Sequence, residues 1–221
     1  MVNIQQDTPV LVVGLGRFGA ATAGQLDRLG REVLAVDTDP ALVQKWADRV
    51  THVVQADARS VETLEQIGAA EFQVAVVAVG SSVESSVLVA ANLVDLGVPQ
   101  IWAKAISKAH GKILERIGVT HVIYPEREAG ERVAHLVSGS MLDYIKFDDD
   151  FVMAKMYPPR LIQGLTLDQS GVRTRYKVTV VGVKPPQAPF TYATEKTMIH
   201  AGDKIIVAGT TANVERFANI G

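Results

Sequence analysis

Gly14-Leu15-Gly16-Arg17-Phe18-Gly19 has the residue types and spacing of a phosphate-binding turn. Gly14 permits a tight turn, Gly16 lacks the β-carbon that would keep a pyrophosphate from the backbone, and Gly19 lets a following helix pack closely on a sheet. A helix starting here offers unpaired N–H groups and the positive end of its dipole to phosphate. GxGxxG alone is a weak signal. Its context here, with the apolar Val10–Val13 before it and a helical pattern after it, is the one an adenine-nucleotide site requires. The competing reading is a glycine turn kept for packing alone. Arg17 and Phe18 occupy the variable positions of the turn and join the nucleotide-binding candidates. The Arg17 guanidinium points away from its own core, towards phosphate, a neighbouring subunit or solvent.

Asp37 ends the next apolar run, 18 residues beyond Gly19. A carboxylate there accepts hydrogen bonds from ribose hydroxyls and repels a 2′-phosphate, which disfavours NADP. The alternative, a helix cap, fits Asp39-Pro40 better. Asp57 and Ala58 follow the third run, where a carboxylate or backbone group can meet an adenine amine; an ordinary turn aspartate reads as well. Val79, Gly80 and Ser81-Ser82 leave the fourth run at the crevice where small residues let a ligand approach. Lys104 ends the fifth run as a further cation. Glu126, in Tyr124-Pro125-Glu126-Arg127, is either a ligand for a cation that also touches phosphate or a first-turn acid favoured by the helix dipole.

Other chemistries are missing. The five histidines (His52, His110, His121, His135, His200) show neither HxxxH nor HExxH spacing, so each reads as structural or surface. There is no GxSxG and no Walker lysine. With no cysteine, disulfides, thiolate zinc sites and cysteine nucleophiles are excluded. Of 221 residues, 22 are Lys or Arg and 24 are Asp or Glu, a net charge of −2 that gives no electrostatic reason to expect nucleic acid or an anionic membrane as partner. No apolar run nears the roughly 18 residues of a membrane span, and Asp7 and Pro9 interrupt the place of a signal-peptide core. The expectation is a soluble cytoplasmic protein that reaches a membrane only through a partner.

The elements that must position these residues alternate along the first half. Strands are expected at Val10–Val13, Val33–Val36, Val53–Gln55, Val74–Val79, Gln100–Ala103 and His121–Ile123, and helices at Phe18–Leu29, Ala41–Ala47, Val61–Ile67, Val83–Leu96 and Lys108–Ile117. Continuous β-branched runs separated by helices imply a parallel sheet covered on both faces, a Rossmann-like doubly wound α/β domain. Glu126 to about Leu142 reads as one amphipathic helix, Asp148-Asp149-Asp150 as a turn or solvated face, and Phe151–Met156, Lys177–Val183 and Lys204–Ala208 as strands before a short helix at Ala212–Phe217. Residues 1–140 are thus expected to form the nucleotide-binding domain and 141–221 a small α+β domain too poor in acids and bases for a substrate domain. An NAD-dependent oxidoreductase with a reduced substrate domain is the alternative.

VLVVGLGRFG at Val10–Gly19, LAVD at Leu34–Asp37, ADA at Ala56–Ala58, AKA at Ala103–Ala105 and YPE at Tyr124–Glu126 occur in the order found in RCK proteins, the regulators of potassium conductance. The resemblance covers nearly the whole chain, and Gly202–Gly209 is similar to the usual ending of the RCK C-terminal lobe. It implies a cytosolic, non-enzymatic gating subunit of a Ktr/Trk potassium uptake system. The family implies dimers assembled into an octameric ring beneath a membrane-embedded potassium-translocating subunit, with ATP and ADP as opposing ligands and NAD(H) in some members. By resemblance, Gly14, Gly16 and Gly19 cradle phosphate, Asp37 binds ribose, and Asp57 and Lys104 border the nucleoside. Arg17 reaches a γ-phosphate in the adjacent subunit, and Glu126 helps hold a cation (Mg, Ca or Na) there. Gln55-Ala56-Asp57 departs from the family's usual Gly-Asp pairing. Cyclic di-AMP in the C-terminal lobe of some members would correspond to the region of Arg173, Arg175 and Pro189.

Overall fold

The computed structural model describes residues 8–80, 82–148 and 150–220. Asp7, Ser81 and Asp149, which figure in the sequence reading, lie outside them. The chain divides into two compact units, Met1–Glu126 and Arg127–Gly221.

In the first unit the strands are β1 (Val10–Val13), β2 (Val33–Asp37), β3 (His52–Gln55), β4 (Val74–Val77), β5 (Gln100–Lys104) and β6 (His121–Ile123). They form one sheet in the order β3-β2-β1-β4-β5-β6, and every pairing is parallel. The helices α1 (Arg17–Arg28), α2 (Pro40–Trp46), α3 (Val61–Gln66), α4 (Val83–Asp95) and α5 (Lys108–Arg116) fill the crossovers. β1 and β4 are buried along their whole length. Their side chains alternate between two cores: Leu11, Val13, Ala75 and Val77 face one, Val10, Val12, Val74 and Val76 the other. This two-sided burial is why both strands read as unbroken apolar runs. The strand order reverses between β1 and β4, which opens a crevice at the carboxyl ends of the sheet. β4 is shorter than expected: the Ala78 N–H still donates to the Val13 carbonyl of β1 at 2.8 Å, just past the last paired residue, and Val79 lines the crevice beyond the strand.

The second unit takes most of α6 (Pro125–Val137), then β7 (Asp143–Asp148), β8 (Phe151–Met156), the short helices α7 (Leu167–Ser170) and α8 (Val172–Tyr176), β9 (Thr179–Lys184), β10 (Thr191–Tyr192), β11 (Lys204–Gly209) and α9 (Thr211–Ala218). An antiparallel sheet in the order β10-β9-β11-β8-β7 packs on a core that includes Met156, Ile162, Ile199, Ile205 and Phe217. The unit boundary falls earlier than the expected residue 140. The reason is α6, whose Arg132 donates to Asp143 at 2.7 Å and whose His135 stacks on Tyr144 at 3.9 Å, both within the second unit. α6 also ends five residues early, at Val137, because Gly139 adopts a left-handed φ of +80°. Met141 consequently joins the second unit's core instead of continuing the helix stripe.

Candidate functional site

A cavity of about 770 Å³ opens at the carboxyl edge of the first sheet. Of the residues singled out by sequence, Gly14, Gly16, Arg17, Phe18, Asp37, Asp57, Ala58, Val79, Gly80, Lys104 and Glu126 line it. Gly19 does not; it sits beneath the turn. A β-carbon on Gly19 would lie 1.8 Å from the Gly14 carbonyl oxygen, so only glycine lets α1 pack against the turn. Gly14 has φ +97° and donates its N–H to the Val36 carbonyl at 2.7 Å. Gly16 differs: a β-carbon there would meet nothing within 4 Å, and its φ of −62° suits any residue. The space above Gly16 belongs to the cavity.

α2, α3, α4 and α5 are each capped by a side chain that accepts a backbone N–H: Asp39 from Ala41, Ser60 from Thr63, Ser82 from Ser85 and Ser107 from His110. α1 begins at Gly16 with no such cap. Its first N–H groups and the positive end of its dipole therefore face the cavity, an arrangement that favours an anion.

Asp37 anchors this turn from β2. One carboxylate oxygen accepts the Leu15 N–H at 2.5 Å, and the other accepts the Asp39 N–H at 2.9 Å. The helix-cap role falls to Asp39, which accepts the Ala41 N–H at 2.8 Å. Asp37 thus joins the end of β2 to the glycine turn and at the same time lines the cavity.

Lys104 Nζ donates to Glu126 Oε1. The Lys104 side chain is only 13% exposed and fits because Gly80 has no side chain: a β-carbon on Gly80 would stand 3.2 Å from Nζ. The hydrogen bond from Lys104 is the main cause that holds the Glu126 carboxyl below its ordinary range, and the positive charge of Arg17 adds a weaker pull. Arg17 itself is exposed and donates no side-chain hydrogen bond among the described residues. Among those residues, no group of three or more histidines and carboxylates is placed to hold a metal ion. A cation at Glu126 would share the carboxylate with Lys104.

Asp57 is likewise engaged. It accepts the Arg59 N–H at 3.0 Å and the Arg59 Nε at 2.9 Å on one oxygen, and Nη2 at 2.6 Å on the other. These bonds hold its carboxyl below the usual aspartate value. Arg59 also lines the cavity, as do Thr38, Ser85 and Ile106, none of which was singled out from the sequence. Arg59 lies two residues past Asp57 in the same loop, and its nearness to that acid was the available signal.

None of the five histidines lines the cavity. His121 stacks on Trp102 at 4.0 Å. His110 is buried, accepts the Ile106 N–H at 3.4 Å and is pushed below its ordinary value of 6.5 by that burial. In the second unit a separate cavity of about 420 Å³ is lined by residues that include Asp168, Arg173, Thr194 and Glu195. Arg173 is thus at a cavity, whereas Arg175 and Pro189 do not line it.

Sheet order and turn geometry define the class: a Rossmann-like domain followed in the chain by a small antiparallel α+β domain. The chain belongs to the TrkA-domain, or RCK, family, since residues 10–125 match the TrkA-N domain and residues 154–220 the TrkA-C domain. It is 32% identical over 211 residues to Ktr system potassium uptake protein A of Bacillus subtilis (strain 168), covering 95% of each chain. It is also 32% identical over 207 residues to Ktr system potassium uptake protein C of the same strain, covering 93% of this chain and 94% of the relative. Among solved structures, the GsuK channel bound to NAD superposes with a TM-score of 0.67 at 16% identity. The match covers 99% of this chain but only 40% of that one, and it speaks for the fold.

Proposed function

We propose that this chain is a nucleotide-sensing regulatory subunit that binds ATP and ADP in its first unit and thereby gates a membrane-embedded potassium-translocating subunit. The observation that carries the reading is the uncapped start of α1, open above Gly16 and flanked by Arg17. An anion fits there by helix dipole, free N–H groups and charge together. The cavity volume suits a nucleotide, within the roughly 300–1,000 Å³ of small-molecule sites. The phosphates lie at Gly14, Gly16, Arg17 and Phe18 over the packing glycine Gly19. The ribose meets Asp37, and the nucleoside is bordered by Asp57, Ala58, Val79, Gly80 and Lys104. NAD(H) is the third ligand of the reading, supported by the NAD in the GsuK structure. A cation at Glu126 and cyclic di-AMP in the second unit are its further ligands.

The role is one of binding rather than catalysis. Each cavity carboxylate is already engaged, Asp37 by two N–H groups, Asp57 by Arg59 and Glu126 by Lys104. This leaves no free acid–base pair of the kind a hydride-transfer enzyme sets beside its substrate. The relatives' names support a partner in potassium uptake. No described helix is long and apolar enough to cross a membrane, so the translocating pore belongs to that partner in this reading. Dimers arranged as an octameric ring, held at the cytoplasmic face, complete it.

A thermal-shift titration with ATP, ADP and NADH tests the proposal. Ligand at 100 times its dissociation constant stabilises by about 2.7 kcal/mol. Stabilisation by both ATP and ADP without turnover is the expected result. Stabilisation by NADH alone would favour an oxidoreductase, and no response to any of the three would refute nucleotide sensing.

A further inference from the structure

The loop after β3 carries an arginine that is fixed more firmly than an exposed arginine needs to be. The Arg59 side chain is 53% exposed, and a surface guanidinium ordinarily samples many rotamers. Here the Asp57 carboxylate grips its Nε–Nη2 edge in the bidentate, fork-to-fork geometry that fixes the plane of the guanidinium as well as its position. The backbone is held too. Arg59 N–H donates to Asp57, and the Arg59 carbonyl accepts from the Asn92 amide on α4 at 2.9 Å. The result is a flat, preorganised cation at the rim of the cavity.

Its place along the sheet gives that plane a purpose. The phosphate turn follows β1, Asp37 ends β2, and Arg59 follows β3, so the three lie in strand order across the carboxyl edge. A nucleotide with its phosphates at α1 and its ribose at Asp37 extends towards the β3 loop, and what remains of it there is the base. Apolar neighbours in the lining, Leu42, Ala58 and Val89, suit an aromatic ring. Asp57 already accepts hydrogen bonds from three nitrogens of Arg59, against the two N–H groups that Asp37 accepts, so it has fewer sites to offer an adenine amine. Resting on the reading of the cavity as a nucleotide site, the geometry points to Arg59 as the platform on which the base of the bound nucleotide stacks, with Asp57 as the positioning residue that keeps the platform flat. A guanidinium plane stacks on a π-face through cation–π attraction and contact area. The specificity this confers is for a large π-surface, hence purine over pyrimidine.

Calorimetric titration of the full chain with ATP and UTP decides the matter, using Arg59→Ala, Arg59→Lys and Arg59→Tyr. The side chain is exposed, so all three variants are expected to fold, and their melting temperatures check this. Arg59→Ala is expected to weaken ATP about tenfold, within the range of base stacking, and to narrow the ATP-over-UTP preference. Arg59→Tyr, which restores a flat face without charge, is expected to stay within about threefold of the parent, in line with the sequence-tolerant stacking of bases on aromatics. Arg59→Lys keeps the charge and loses the plane, and is expected to fall with Arg59→Ala. An Arg59→Lys protein that binds ATP as the parent does would show that charge is what matters, and the platform would be rejected. An unaltered Arg59→Ala protein would reject it as well. If the parent chain binds neither nucleotide, the nucleotide reading itself fails, which sets that failure apart from failure of the platform.

Discussion

Gly16 and Gly19 stand three residues apart in one motif and do opposite work. Gly19 is required by the fold: any side chain there collides with the Gly14 carbonyl and with Ala78, whose Cβ would be 2.8 Å away. Gly16 is free of the fold, with open space where its side chain would be. Gly19→Ala is therefore expected to lower unfolding free energy by roughly 1–3 kcal/mol, the range for overpacking, with ligand binding weakened because the turn shifts. Gly16→Val is expected to cost less than about 1 kcal/mol, the difference between glycine and a β-branched residue at an N-cap, and to abolish nucleotide binding by filling the phosphate space. Urea denaturation together with calorimetry separates the two. A Gly16→Val protein that still takes up ATP would put the phosphates elsewhere.

At the scale of elements, the glycine turn is held by a strand other than its own. Asp37 reaches from the end of β2 to Leu15, whose side chain is fully buried beneath the turn, so removing the carboxylate leaves the Leu15 N–H without its partner. Asp37→Ala is expected to lower stability by roughly 1–3 kcal/mol, the penalty of an unsatisfied buried donor, and to weaken adenine-nucleotide binding in the same variant. Unchanged stability in denaturation would mean that water replaces the carboxylate, leaving Asp37 a ligand contact only. This coupling of strand end to turn was only half legible in the sequence, which gives the acid and its spacing but not the inward hydrogen bond. β1 and β4 were legible because burial on both faces writes them as apolar runs. β7 was not, because apolar Ile145 and Phe147 lie on its exposed face while Lys146 shares the face of buried Tyr144, so hydrophobicity does not follow burial along it. α7 and α8, of four and five residues, are too short for a periodic signal. For Arg59 the sequence carries only its nearness to Asp57; that Asp57 fixes the plane of the guanidinium is a property of the folded loop.

For the whole molecule, the proposed gating requires that ATP and ADP be told apart, and they differ only by the terminal phosphate. A ligand shifts a conformational equilibrium only by its differential affinity for the states. Among the described residues the cavity is lined by three cations, and two are committed: Lys104 to Glu126 and Arg59 to Asp57. Arg17 remains, exposed on the first residue of α1 and drawing on Glu126 only through its charge. The free N–H groups of the turn serve the inner phosphates of either nucleotide, whereas an uncommitted guanidinium that reaches beyond the turn serves the outermost. Arg17→Ala is thus expected to weaken ATP by roughly 1–3 kcal/mol, the value of a charge-assisted hydrogen bond, and to leave ADP nearly unchanged. If Arg17 contacts nucleotide across a subunit interface, as the family resemblance implies, the same variant loses the ATP-dependent change in assembly, and potassium flux in reconstituted vesicles loses its response to ATP. Calorimetry with both nucleotides gives the sharper answer. Equal weakening of ATP and ADP would make Arg17 a general phosphate ligand, and no change in either would remove Arg17 as the handle by which the two nucleotides are told apart.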